Sequence, residues 1–299
     1  MSNGLVELIA TTLLTTTPIL LAALAGAICL QAGIVHIGLE GVMLAGAFGA
    51  VIGSYNWGGS GAGLALAVAL AVAISVLFAL FVVTLQTNQV VAGLGLNLLA
   101  VGLAGYVLSL LYNAEGQFSP PGLHGLPHVT LPGIGGLGVL GPLLSGNDPI
   151  TYLSWLLIPL TWLFLYRTTV GTHLRAAGEA EEAARAAGLR VQGLRYLALI
   201  IAGVLAGLAG AQLSLGQVTL FNKAMTGGRG FIALAAFYFG GARPVPTALA
   251  SLIFGFFEAL QYRLQIANVP PQWAEMAPYL AVVAVLTAVA LRRRALGRA

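Results

Sequence analysis

Apolar residues run through this chain in long unbroken stretches, not in the alternation of strands or the one-sided stripe of soluble helices. Such runs cover 8–30, 34–56, 62–86, 90–112, 150–166, 196–216, 245–266 and 277–291. A helix needs about 20 apolar residues to cross the hydrocarbon of a bilayer, so these runs predict spans. A ninth run, 231–241, is apolar but short. Two polar connections separate the spans: 114–149, rich in Gly and Pro with no Lys or Arg, and 167–195, which holds five Arg. The tail 292–298 holds four more. By the positive-inside rule the two basic segments face the cytoplasm and 114–149 faces out.

Two cytoplasmic segments require an even number of crossings between them, so the short run must cross as well. It is expected to do so as a broken helix with irregular backbone around Met225–Gly230, which membranes tolerate only where protein or a cavity shields it. A second interrupted stretch carries Gly33, Gly38, Gly41, Gly46 and Gly49 around His36 and Glu40. Paired interruptions in two halves point to a translocation site near the midplane. Counting four crossings back from an external 114–149 loop puts the N-terminus outside.

Composition turns this pattern into a class. Of 299 residues, 59% are hydrophobic and 7% charged, against roughly 25% charged in a soluble domain. The expected fold is all-α: a polytopic transmembrane helical bundle of about 8–10 spans with two broken-helix segments. It forms one domain over 1–299, with 114–149 external and 167–195 cytoplasmic. The formal charge of +4 does not make a nucleic-acid protein. Met1–Tyr166 carries no Lys or Arg and all thirteen basic residues follow, so the asymmetry is topological. The single Cys29 permits no intrachain disulfide, and with no basic segment ahead of the first apolar run no cleaved signal peptide is expected.

Few residues in the spans can carry chemistry. Glu40 is ionisable within the membrane and either faces a cavity or is held by backbone N–H groups where the helix breaks. Glu258, with Gln261 and Arg263, reads as a helix-end ion pair with a snorkelling Arg. Asn88, Gln89 and Asn97 can hydrogen-bond an uncharged solute or fasten helices together. Gly49 with Gly53, and Gly203 with Gly207, are small-residue packing pairs. Residues 179–187 predict a short extramembranous helix with Glu179, Glu181 and Glu182 in its first turn, Arg185 four residues after Glu181, and Gly188 as its stop. It is either a solvated connector or a docking element whose Ala side chains fit a groove. Gly125 and Pro127 deny His124 and His128 a helical metal pair. No phosphate-binding G-x-x-x-x-G-K-[ST], nucleophile elbow or H-E-x-x-H occurs, so neither an enzyme nor ATP hydrolysis by this chain is expected, and no cofactor or metal is implied.

Four ordered motifs carry a resemblance: Ile37-Gly-Leu-Glu-Gly-Val-Met-Leu-Ala-Gly46, Asn88-Gln-Val-Val-Ala-Gly-Leu-Gly-Leu-Asn97, Arg175 through Gly188, and Gly230-Phe-Ile-Ala-Leu-Ala-Ala236. Together they resemble the permease subunits of bacterial ABC importers, in the branch of branched-chain amino acid, ribose and nucleoside systems. The I-G-x-E-G-x-M-L and N-Q-V-V-x-G-L-x-L-N forms are most similar to the nucleoside permeases, with His36 where those carry Asn. The resemblance implies a multi-pass protein of the bacterial inner membrane. Its implied partners are an ABC ATP-binding subunit, a second homologous permease, an extracytoplasmic substrate-binding lipoprotein and the bilayer. It makes 175–188 the coupling segment, with Arg175, Gly178, Glu179, Ala183, Ala184 and Gly188 at the ATPase.

Glu40, Asn88, Gln89, Asn97 and Phe231 are the candidate substrate pathway: neutral amides, one carboxylate and an aromatic face. The first five spans hold no Lys or Arg, which disfavours a fixed anion and agrees with a neutral, nucleoside-like solute. A sugar or a branched-chain amino acid is the alternative within the class. An ion-coupled secondary transporter is the rival outside it, but it would lack carboxylate relays beyond Glu40 and Glu258 and leave the Ala-rich helix without a task.

Overall fold

The computed structural model describes residues 2–130 and 145–266, with scattered positions between 270 and 287. Most of the eighth apolar run and all of the basic tail fall outside that description. Among the described residues the helices are α1 (Ser2–Gln31), α2 (Leu39–Trp57), α3 (Ser60–Ala79), α4 (Gln89–Tyr112), α5 (Pro149–Arg167), α6 (Thr169–Glu179), α7 (Glu181–Ala186), α8 (Val191–Ala211), α9 (Arg229–Phe239) and α10 (Pro244–Ile266). Six segments are long and apolar enough to cross a membrane: α1, α3 with its π-helical end, α4, α5, α8 with its π-helical end, and α10. The only sheet among these residues is a two-residue pairing of β1 (Gln117–Phe118) with β2 (Phe221–Asn222).

Helix α2 sits inside the bundle, buried along nearly its whole length from Leu39 to Ser54, against α3, α8 and α4. Small residues permit this. A Cβ on Gly46 would lie 2.7 Å from Gly207, one on Gly210 would meet the Met43 carbonyl oxygen, and one on Gly203 would lie 2.8 Å from Val72. Gly49 and Gly53 meet α3 at Ala67 and Gly63 in the same way. The glycine pairs read as packing are packing: with lipid as solvent, close backbone approach substitutes for a hydrophobic drive between helices.

Helix α1 crosses with Pro18 inside it. Proline removes the N–H that would bond the carbonyl four residues back, here Leu14. Gln217 supplies the replacement, its Nε2 donating to Leu14 O at 3.3 Å. The neighbouring Thr15, Thr16 and Thr17 hydroxyls bond back to the carbonyls of Thr11, Thr12 and Leu13.

Contacts order the two ends of the bundle. At one end Gly33 packs on Gly178, and Arg195 Nε donates to Ala32 O at 3.3 Å. At the other, Asn56 donates to Tyr112 Oη at 2.7 Å and Ser54 to His124 O at 2.8 Å. The polar connection after α4 and the basic connection 167–195 therefore lie at opposite ends.

Candidate functional site

Both interrupted stretches exist, and they meet. Residues 32–38 leave the helical path between α1 and α2, and 223–228 descend from the β1–β2 pairing as irregular chain to the start of α9. At 11 residues, α9 covers about 16 Å, half the hydrocarbon thickness. Its N-terminus therefore lies at membrane depth.

Glu40 joins the two breaks. Its Oε1 accepts from the Gly228 N–H at 2.8 Å and its Oε2 from the Gly230 N–H at 2.7 Å. The carboxylate also stands in the first turn of α2. It thus lies between two helix N-termini, whose free N–H groups and dipoles compensate a negative charge, with the Arg229 guanidinium near enough to add to them. The backbone groups that hold it belong to the distant second break, not to Gly38 or Gly41. Gly230 is required at this joint, because a Cβ there would lie 2.5 Å from the Glu40 nitrogen.

Asn97 holds the first break from the side. Its Oδ1 accepts from Gly41 N–H at 2.8 Å, and its Nδ2 donates to Ile37 O at 3.2 Å. Gln89 does the same lower down, accepting from Val35 N–H at 2.7 Å. Asn88 is the N-cap of α4, accepting from Val90 and Val91. His36, inside the break, stacks on Phe78 with ring centroids 4.4 Å apart.

Beside Glu40 opens a cavity of about 620 Å³, lined mainly by apolar side chains of α2, α4 and α9 and bounded by Glu40, Asn97, Lys223, Thr226 and Phe231. Of the five pathway candidates the structure brings Glu40, Asn97 and Phe231 to this cavity. Asn88 and Gln89 lie away from it, occupied by α4 and by the 32–38 segment. The cavity also holds a cation that a search of the first five spans misses. Lys223, the sole lysine, arrives on the descending segment, with its backbone N–H donating to Gly116 O at 2.9 Å.

Glu258 corrects a second reading. It does not pair with Arg263: it forms a buried ion pair with Arg229 in the first turn of α9, the Arg229 Nε donating to Glu258 Oε1 at 2.7 Å. Arg229 also donates to the carbonyls of Met225 and Thr226, which pins the descending segment. Arg263 pairs with Glu7 of α1 at 3.2 Å instead. Two charges buried in one bundle each need a partner, but 29 residues of separation give no periodicity by which to match them.

The basic connection forms two helices, not one. Thr168 caps α6 by accepting from Gly171 N–H, and the chain turns at Ala180, so Glu179 ends α6 and α7 begins at Glu181. Glu181 and Arg185 pair at 2.6 Å as their spacing predicts, and Gly188 terminates the segment with φ +81°. Glu181 also binds Arg195 of α8 at 2.7 Å. These hydrogen bonds, from Arg185 first and Arg195 second, hold the Glu181 carboxyl below its ordinary range. Of the coupling candidates, Glu179 and Ala183 are exposed, as is Gly188. Ala184 is buried with Ala177 and Val191, and Gly178 abuts Gln31 and Gly33. Arg175 lies over the Tyr166 ring at 4.7 Å.

A bundle with six helices long and apolar enough to span is a multi-pass membrane protein, and comparison with known proteins gives its family. Residues 8–286 match the family described as branched-chain amino acid transport system / permease component, and the chain belongs to it. A Haloferax volcanii protein named as a putative glucose ABC transporter permease is 35% identical over 92% of this chain and 89% of its own length. The guanosine ABC transporter permease protein NupQ of Bacillus subtilis is 31% identical over 92% and 89%. The nucleoside ABC transporter permease protein NupC of Lactococcus lactis is 30% identical over 95% and 92%. Among solved structures, an inward-facing ABC transporter of metal-chelate type aligns with TM-score 0.55 at 14% identity, over 94% of this chain and 85% of that one, a likeness of fold. The protein is a permease component of an ABC importer.

Proposed function

We propose that the chain moves an uncharged nucleoside-like solute through the cavity beside Glu40. The observation that carries this reading is the lining: a largely apolar wall with the Phe231 ring and a few polar groups at one edge, from Glu40, Asn97 and Lys223. A nucleoside base has an apolar face and a hydrogen-bonding edge to match, whereas a hexose needs polar partners all round. The guanosine and nucleoside permeases among its relatives support the same class. The relative named for glucose favours a sugar as the second reading.

In this reading the end that carries 167–195 is cytoplasmic and the end with the 114–149 loop is external, as the Arg distribution requires. ATP-binding subunits dock on the exposed face of α6–α7 through Glu179 and Ala183. A second homologous permease completes the pathway, and an extracytoplasmic binding lipoprotein delivers the solute. Docking reaches the cavity through contacts already described: Glu181 to Arg195, Arg195 to Ala32 O, and the 32–38 segment to Glu40. The deciding experiment is ATP-dependent uptake into vesicles containing the permease with its co-expressed neighbours, using adenosine, guanosine, uridine, glucose and leucine. Nucleoside uptake with nucleotides excluded is the expected outcome. Glucose or leucine uptake without nucleoside uptake overturns the solute, and uptake independent of ATP overturns the importer.

A further inference from the structure

Among the described arginines, Arg185, Arg195, Arg229 and Arg263 are each ion-paired, and Arg190 stands exposed on the connection ahead of α8. Arg167, Arg175 and Arg243 have no carboxylate within salt-bridge distance among the described residues, yet they gather in one place. Arg175 and Arg243 line a cavity of about 540 Å³ between the end of α5, α6 and the turn into α10, together with Trp162, Tyr166 and Glu179. Arg167 stands over the Trp162 ring at 5.7 Å, and Arg175 is fixed by Tyr166 and by its Nε donating to Leu165 O at 3.1 Å. The lining thus carries two positive charges and one negative, and Arg167 adds a third positive charge beside the Trp162 ring.

The position of the cavity selects its occupant. Trp162 and Tyr166 lie in the last turns of the α5 span, at the depth where aromatic side chains meet the headgroup layer. The cavity includes Val245, which begins an exposed apolar stripe on α10 that continues through Leu249, Leu252, Ile253 and Phe256. A cationic, aromatic-rimmed pocket at the head of an apolar stripe is complementary to a molecule with an anionic head and acyl chains. We propose that this cavity binds an anionic phospholipid: its phosphate lies between Arg175 and Arg243, Arg167 guards the rim, and an acyl chain runs along the α10 stripe. The site is separate from the solute cavity and does not rest on the choice of solute.

Brominated lipids test this with the whole permease in vesicles. Brominated phosphatidylglycerol is expected to quench tryptophan fluorescence more than brominated phosphatidylcholine at equal mole fraction, and Trp162→Phe is expected to abolish the excess. Arg243 is exposed on a tight turn, so Arg243→Gln spares the fold. It should weaken the preference about fivefold, and adding Arg167→Gln about fivefold more. Equal quenching by both lipids, or an excess that survives Trp162→Phe, overturns the proposal. Loss of the excess on adding millimolar inorganic phosphate would mean a soluble anion and overturn it too. So would a preference in permease alone that disappears when ATP-binding subunits are bound, which would assign the pocket to protein docking.

Discussion

A carboxylate at membrane depth survives only if something compensates its charge, and for Glu40 the direct hydrogen-bond partners are backbone. Each oxygen takes one N–H from the start of α9. Glu40→Gln keeps the shape but has one acceptor oxygen, and its amide would turn N–H toward N–H. One of the Gly228 and Gly230 donors is then left unpaired, at a cost of about 1–3 kcal/mol. The expected result is a lower unfolding midpoint in detergent and reduced uptake; unchanged values of both would remove Glu40 from the joint. Asn97→Leu frees Gly41 N–H and Ile37 O together, so it should lower stability as well as uptake, unlike Asn88→Asp, which keeps the helix cap. Glu40 and Asn97 stand out in the sequence because polar groups are expensive in an apolar run. Their partners do not, since a backbone N–H carries no residue identity.

At the scale of elements, the two breaks were legible because glycine clusters and a too-short apolar run both violate the pattern of a regular span. What was not legible is that one break caps the other, because nothing local links residue 40 to residue 228. The 179–187 helix shows the reverse fault: its charges and stop were readable, but the turn at Ala180 that moves Glu179 onto α6 was not. That split makes two neighbouring alanines diagnostic. Ala183 is exposed and Ala184 is buried. Ala183→Trp should leave the permease folded while uncoupling ATP hydrolysis from uptake, whereas Ala184→Trp should detach α7 and raise its protease sensitivity. Equal effects would deny α7 a docking face. The Glu181 bridge has its own signature in pH. A carboxyl held below its ordinary range stabilises fully above its unfolded pKa and loses that contribution as pH falls from there through the lower folded value. Protease protection of α7 should therefore decline as pH falls from the ordinary glutamate pKa to the lower folded value; complete loss already at the ordinary glutamate pKa would mean that neither Arg185 nor Arg195 holds the carboxylate in solution.

For the whole molecule the decisive signal is where the cations are, since the translocation machinery reads Lys and Arg near spans and the bundle then carries that bias into its architecture. The first 166 residues contain none. The contacts place the consequence at two ends. Gln31, Gly33 and Arg195 cluster with α6 and α7, while Asn56, Tyr112 and His124 cluster at the other end, where α4 finishes. The N-terminal turn of α1 shares the second end, because Gln31, at its far terminus, touches Gly178 at the first. Cys29 is the sole cysteine and is buried, so Cys29→Ala supplies a clean background. In it, Ser119→Cys and Glu7→Cys should react with a membrane-impermeant maleimide added outside intact cells, and Ala180→Cys only after permeabilisation. Labelling of Ser119→Cys and Ala180→Cys from the same side would break the bundle's two-ended arrangement; opposite sides with Glu7→Cys inside would keep that arrangement but require α1 not to cross.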